Sequence, residues 1–112
     1  MQNKYVNTYS MNRNEVVNKI KGIATLFAPN VKMWLYGSES RGEARPDSDF
    51  DVLLLVDAPT LNLQQRMDLI YPFYEIELET GASINPHIET TASWNSRKSV
   101  FTEQVKKDRI PL

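Results

Sequence analysis

Two aspartates separated by one residue are the feature of this sequence that most directly suggests chemistry. Asp49 and Asp51 open a strand-like segment, and residues two apart in a strand point to the same side. Their carboxylates would face one spot and repel each other unless a cation lay between them. Mg²⁺, or Mn²⁺ in its place, suits such a pair because it prefers oxygen ligands and bridges to substrate phosphates. The alternative is an exposed strand edge with two solvated aspartates.

A glycine–serine pair lies upstream of the aspartates, where a predicted strand ends at Tyr36. A short helix is predicted over 38–44, and free N–H groups at its start would favour a phosphate. Gly37 lets the backbone approach a ligand closely because it has no Cβ, and Ser38 adds a hydroxyl donor. The alternative is an ordinary turn followed by a helix cap.

Together, the phosphate-binding turn and the acidic pair predict a site for a nucleoside triphosphate. The expected chemistry is phosphoryl transfer, in which a metal neutralises charge and the protein positions an attacking group. The Gly-x4-Gly-Lys-Ser/Thr spacing is absent, so the site is not a Walker P-loop. Asp47 belongs to the preceding turn, and we place it outside the site.

The first element that must position this site is an amphipathic helix upstream of it. Apolar side chains recur at helical spacing, which places them on one face. Asn12 or Asn14 could cap this helix, and Pro29-Asn30 would end it. The apolar face consists of Val16, Ile20, Ile23 and Phe27.

The remaining pattern predicts three strands and two more helices. Strands are expected over 31–36, 48–56 and 82–89, and Pro86 makes the third an edge strand. The apolar run within 48–56 indicates a strand covered on both faces. A long helix is expected over 61–80, kinked by Pro72 and capped by Gly81, and a short one is expected near Val100 to Val105. The apolar stripe of the long helix is Leu63, Met67, Ile70, Tyr74 and Leu78.

This order of elements predicts an α/β (α+β) fold with one small mixed β-sheet flanked by helices. With 112 residues, the chain is expected to form a single domain, 1–112, in which residues 1–11 are a flexible arm. A net charge of −1 gives no indication of a general nucleic-acid surface.

Composition also narrows the expected location. The chain has no cysteine, which excludes disulfides, zinc thiolate sites and cysteine nucleophiles and suits a reducing cytosol. The polar N-terminus lacks the apolar core of a signal peptide, and no stretch approaches the roughly 20 apolar residues of a membrane span. A cytoplasmic protein without a membrane partner is expected.

The ordered motif that runs from Gly37-Ser38 through Arg41-Gly42 to the segment 47–51 resembles the signature of the polymerase-β-type nucleotidyltransferase superfamily. The short chain is similar to its minimal, MNT-type branch. By this resemblance, Gly37 and Ser38 bind the triphosphate, and Asp49 and Asp51 hold the metals. Arg41 would position the site or the phosphates, or alternatively brace the loop as a surface arginine.

One departure from the family pattern concerns a third carboxylate, which such enzymes usually carry on the strand after the long helix. Its expected position falls on Ser83 or on Asn85, and neither side chain is an acid. Glu79 and Glu89 flank the strand out of register. His87 could act as a base, although a single histidine near a strand is more often structural or exposed.

The resemblance implies two competing functions. An active enzyme would transfer AMP from ATP to an acceptor hydroxyl, which in the minimal branch is often on a HEPN-type helical partner in a toxin–antitoxin pair. The alternative is a nucleotide-binding or partner-binding module that has lost most catalysis with the third acid. A soluble domain with a chance motif would explain neither the length nor the order of the motif.

Overall fold

The computed structural model describes residues 12–112, so the flexible arm predicted for 1–11 lies outside the described residues. The chain order is α1 (Arg13–Phe27), β1 (Val31–Tyr36), β2 (Phe50–Val56), α2 (Leu63–Thr80), β3 (Ile84–Thr90), α3 (Thr91–Ser96), α4 (Val100–Asp108) and β4 (Ile110–Pro111). The strands form one sheet in the order β3-β2-β1-β4. β2 is antiparallel to β1 and parallel to β3, which confirms the predicted mixed sheet flanked by helices.

The first helix forms as its sequence predicts. The Asn12 side chain caps it by accepting hydrogen bonds from the N–H groups of Asn14 and Glu15. Its buried face includes Val16 and Ile20, both fully shielded from solvent. This face packs against one side of the sheet and fixes where α1 begins, close to the loop that joins β1 to β2.

The central strand β2 is buried on both faces, as its continuous apolar run predicts. Val52, Leu54 and Val56 pack into the main core beneath α1 and α2. Leu53 and Leu55 face the other side, where they pack with Trp94 and Val105 from α3 and α4. Because side chains alternate along a strand, Asp51 lies on the Leu53 side, away from α1 and α2.

The long helix α2 forms close to its predicted bounds but does not bury the predicted stripe. Asn62 caps it in a reciprocal pair with Gln65, and Gly81 ends it at φ 77°. Periodicity locates a helix but does not say which apolar face meets the core. The face that packs on the sheet carries Leu69, Phe73 and Ile76, whereas the predicted residues Leu63, Met67, Ile70, Tyr74 and Leu78 are exposed.

The short helix predicted over 38–44 does not form. Residues 37–42 make consecutive turns, and both Gly37 (φ 74°) and Gly42 (φ 71°) adopt the left-handed conformation, which breaks a right-handed helix.

β3 is an edge strand, as Pro86 predicts. Two short elements, α3 and β4, were not predicted. In the described residues no helix is both long and apolar enough to cross a bilayer.

Arg13 connects α1 to the long loop between β1 and β2. Its Nε donates to Glu39 Oε1 at 2.8 Å, and its Nη1 donates to the carbonyl of Ser48 at 2.9 Å. The guanidinium also lies 3.8 Å from the ring centroid of Phe50, the first residue of β2. With only 16% of its side chain exposed, Arg13 joins both ends of this loop to the core.

We therefore predict that Arg13→Ala lowers the free energy of unfolding by about 2 kcal/mol, because it leaves Glu39 and the partly buried Ser48 carbonyl without their charged donor. Chemical denaturation measures this loss. Lys19→Ala is the matched control, since Lys19 lies on the same helix and makes an exposed pair with Glu79. Equal effects of the two substitutions would show that Arg13 does not hold the loop.

Candidate active site

The carboxylates of Asp49 and Asp51 converge on a single side chain. Asp51 is the second residue of β2 and pairs with Tyr36 of β1 on one side and with Asn85 of β3 on the other. The Asn85 amide nitrogen lies 3.0 Å from Asp49 Oδ2 and 3.3 Å from Asp51 Oδ1. One donor therefore reaches both acids, as the two-residue spacing predicts, and it stands where positive charge would be most stabilised.

Asn85, not Ser83, is the residue opposite the acidic pair. Ser83 precedes β3 and contributes its backbone carbonyl, which accepts from the N–H of Phe50 at 2.8 Å. Within residues 12–112, no group of three or more acidic, histidine or cysteine side chains could hold a metal. The third ligand available to a cation beside Asp51 is therefore the neutral amide of Asn85, whose carbonyl oxygen is also a suitable donor after rotation.

The turn after β1 lies directly against Asp51. A Cβ added to Gly37 would collide with Asp51 Oδ2, so only glycine allows the turn and the carboxylate to meet. Ser40 Oγ donates to the Gly37 carbonyl at 2.8 Å and tightens the turn. Among the described residues, no acceptor pairs with the N–H groups of Ser38 and Glu39. These donors are available to a phosphate next to the acidic pair, without the predicted helix.

The electrostatics of the pair reflect partial burial and like charge. Burial raises the pKa of Asp51, and the negative charge of Asp49 raises it further, while the hydrogen bond from Asn85 and the positive charge of Arg41 oppose the shift. Burial, together with the charge of Asp51, raises the pKa of Tyr36 to about 12. Tyr36 therefore stays a neutral phenol beside the site, and a cation would relieve the repulsion at Asp51.

Arg41 lies in the turn, but its guanidinium forms ion pairs with acids other than Asp49 and Asp51. Its Nε donates to Glu43 Oε1 at 2.7 Å, and its Nη1 donates to Asp108 Oδ2 at 3.0 Å. The second contact connects the turn to the end of α4. Arg41 still acts on Asp51 through its charge. This arrangement favours the bracing role over direct phosphate contact.

His87 and the two flanking glutamates are engaged elsewhere. His87 Nε2 lies 2.8 Å from Glu89 Oε1, and Glu89 also forms an ion pair with Arg97. Burial lowers the pKa of His87, and the positive charges of Arg97 and Arg66 lower it further. Glu79 pairs with Lys19 on the surface.

Sequence reasoning missed two residues that shape this site. Arg13 lies far upstream in the chain and only the fold brings it to the loop. Tyr36 was predicted only as the end of a strand, although its position as the last residue before Gly37 places it next to the turn. Asn85 was predicted only as one of two positions where the third carboxylate is missing. Its hydrogen bonds to both aspartates depend on the parallel register of β2 and β3, which the sequence does not show.

Comparison with known proteins agrees with this geometry. The model of a family described as the nucleotidyltransferase domain matches residues 17–108, a span that includes the turn, both aspartates and Asn85. The match covers most of the chain.

Solved structures with the same fold include a minimal nucleotidyltransferase and chains from toxin–antitoxin structures. One, described as a minimal nucleotidyltransferase, has a TM-score of 0.62 and 25% identity and is matched over 91% of this chain and 97% of its own. A toxin–antitoxin structure with AMP-PNP has a TM-score of 0.58 and 23% identity, over 84% and 69% of the two chains.

A third is a Shewanella oneidensis complex of a tri-AMPylated HEPN toxin with an MNT antitoxin, with a TM-score of 0.55 and 20% identity, over 89% and 71% of the two chains. At these identities the two toxin–antitoxin matches show a shared fold. The family match, the mixed sheet and the placement of the turn beside the acidic pair agree with one another. This protein therefore belongs to the nucleotidyltransferase domain family and has the fold of its minimal members.

Proposed function

We propose that this protein transfers AMP from ATP to an acceptor hydroxyl and releases pyrophosphate. The observation that carries the proposal is the convergence of the Asp49 and Asp51 carboxylates on one point directly beside the Gly37 turn. In the reaction, the acceptor oxygen forms a bond to the α-phosphorus, and the bond from that phosphorus to the pyrophosphate oxygen breaks. The proton of the acceptor hydroxyl passes to solvent, and the pyrophosphate leaves with the electrons of the broken bond.

The residues present fit a divalent cation and a triphosphate. Asp49 and Asp51 would hold Mg²⁺ or Mn²⁺, with the Asn85 carbonyl as a neutral third donor. The cation supplies neutralisation of the phosphate charge. The free N–H groups of Ser38 and Glu39 would bind the phosphates, and the bend at Gly37 directs them toward the acids.

The site offers no carboxylate at Asn85 to take the proton of the acceptor, which limits turnover. This observation favours a second candidate function, in which the protein binds nucleotide and a partner but transfers slowly or not at all. The two candidates share the pocket and differ only in the chemical step, so they are separated by measuring transfer and binding in the same preparation.

We propose that the acceptor lies on a HEPN-type helical protein, as a tyrosine hydroxyl. Support comes from similar chains, which occur in a complex with a tri-AMPylated HEPN toxin and in a toxin–antitoxin structure with AMP-PNP.

The first test is transfer of label from α-³²P-ATP to the co-expressed product of the adjacent gene, with the chain itself as the alternative acceptor. Asp49→Asn with Asp51→Asn is expected to lower the rate by at least about 100-fold, since both charges that would hold the cation are removed. Asp47→Asn is the matched control, because it removes an acid from the turn outside the site and should leave the rate within about twofold. Equal loss in both variants would contradict the assignment, and a silent wild type that still binds its partner would favour the second candidate.

Asn85→Asp tests whether the missing carboxylate limits the reaction. With a third acid beside Asp51, the rate is expected to rise by about 10-fold or more and Mg²⁺ to raise the melting temperature more than it does in the wild type, because the cation now offsets three like charges. Transfer and thermal shift should be measured across a Mg²⁺ titration. Ser83→Asp is the control for the other predicted position, and a gain only in that variant would show that the acid belongs at residue 83.

Gly37→Ala tests the contact between the turn and Asp51. ATP affinity is expected to fall by at least about 10-fold, since a Cβ at this position displaces the carboxylate as well as opposing the left-handed backbone. Gly42→Ala is a matched control with a similar φ of 71° and open space around its Cβ. Calorimetric titration with a non-hydrolysable ATP analogue measures the affinity of both variants. Equal losses of affinity would contradict a specific role for Gly37.

A further inference from the structure

A row of large apolar side chains covers the outer face of α2. The exposed fractions of these residues range from 41% to 72%. At 3.6 residues per turn, all of them fall within an arc of about 100°, on the side away from the packed residues Leu69, Phe73 and Ile76. Large contiguous apolar patches on soluble proteins mark interaction sites. We call this set the α2 stripe, and it consists of Leu63, Met67, Ile70, Tyr71, Tyr74 and Leu78.

The area of the α2 stripe matches what a stable interface needs. If a fully exposed large side chain presents about 200 Å², the exposed fractions correspond to roughly 700 Å². A standard protein–protein interface buries about 800 Å² on each partner. One helix face therefore supplies most of one side of such an interface, without a contribution from the acidic pair or the turn.

The stripe is complementary to itself when the helix is reversed. An antiparallel copy that shares a two-fold axis between residues 70 and 71 places Ile70 opposite Tyr71. The same register places apolar residues opposite each other toward both ends of the stripe. Spacings of three and four residues recur along the stripe, and they are those of packed helix pairs. The flanking pairs are Met67 with Tyr74 and Leu63 with Leu78.

The charges that flank the stripe favour the antiparallel arrangement. Glu75, Glu77 and Glu79 make the C-terminal half of α2 acidic, whereas the N-terminal half carries Arg66 and one acid, Asp68. A parallel copy would bring the two acidic halves together. Reversal separates them and brings acids toward the positive N-terminal end of a helix.

We propose that two copies of this chain associate through antiparallel packing of their α2 stripes. The stripe and the acidic pair lie on opposite sides of the sheet, because Asp51 shares the Leu53 side of β2 whereas α2 covers the other side. Association therefore leaves both nucleotide sites open. The proposal stands independently of the proposed function, since no catalytic residue takes part.

Size-exclusion chromatography with light scattering tests the association. The wild type is expected at twice the chain mass of 12.9 kDa, and Met67→Glu at the chain mass, because a charge would be buried at the centre of the interface. Gln65→Glu is the matched control: it adds the same charge to the opposite side of α2 and keeps the pairing with Asn62. Circular dichroism should show that both variants are folded.

Disulfide trapping tests the direction of packing, and the absence of native cysteine makes it unambiguous. A mixture of Met67→Cys and Tyr74→Cys chains should form a disulfide under mild oxidation, as should Ile70→Cys alone at the two-fold axis. Met67→Cys alone should not, since reversal separates the two copies of this position by about 10 Å along the helix.

The proposal would be overturned by a monomeric wild type at high micromolar concentration, by a dimer that survives Met67→Glu, or by efficient trapping of Met67→Cys with itself, which would require parallel helices. A stripe that binds only a helical partner protein, while the chain alone stays monomeric, would also overturn it and assign the surface to a heterologous interface.

Discussion

The repulsion between two neighbouring carboxylates is the constraint on which the site depends. Asp49 and Asp51 face one amide donor, and the pKa of Asp51 is raised because burial and its neighbour both disfavour its charge. The surrounding structure enforces this arrangement. β2 pairs with strands on both sides, Gly37 leaves room for the Asp51 carboxylate, and Arg13 holds the loop on α1. Two carboxylates held this close to each other would be stabilised by a divalent cation between them.

The central strand also divides the molecule into two surfaces. Side chains alternate along this strand, so Val52 and Leu54 lie in the core beneath α1 and α2. Asp51 and Leu53 lie on the opposite side of the sheet. The proposed nucleotide site is thereby confined to one side of the sheet, where the turn, Asn85 and the end of α4 meet. The other side carries the outer face of α2, which can take part in association without affecting the reacting groups.

The sequence predicted the elements of this fold better than their contacts. Helical spacing located α1 and α2, and residue type located β1 and β2, because these signals are local. The buried face of α2 could not be read from spacing, since the helix is apolar on two faces and only the sheet selects between them. The helix expected after Gly37 failed because two glycines adopt left-handed conformations. Within the site, the Asn85 amide reaches both aspartates because of the parallel register of β2 and β3. The hydrogen bond from Arg13 to Glu39 joins residues that lie far apart in the sequence, so the sequence pattern could not predict it.

A crystal structure with Mn²⁺ and a non-hydrolysable ATP analogue tests the central claim most directly. The account predicts an anomalous peak for Mn²⁺ within about 2.0–2.3 Å of carboxylate oxygens from both Asp49 and Asp51, with the phosphates on the N–H groups that follow Gly37. The Asn85 amide should turn its carbonyl toward the metal or move away. A metal bound elsewhere, or a nucleotide bound while the Asn85 nitrogen still donates to both aspartates, would contradict it.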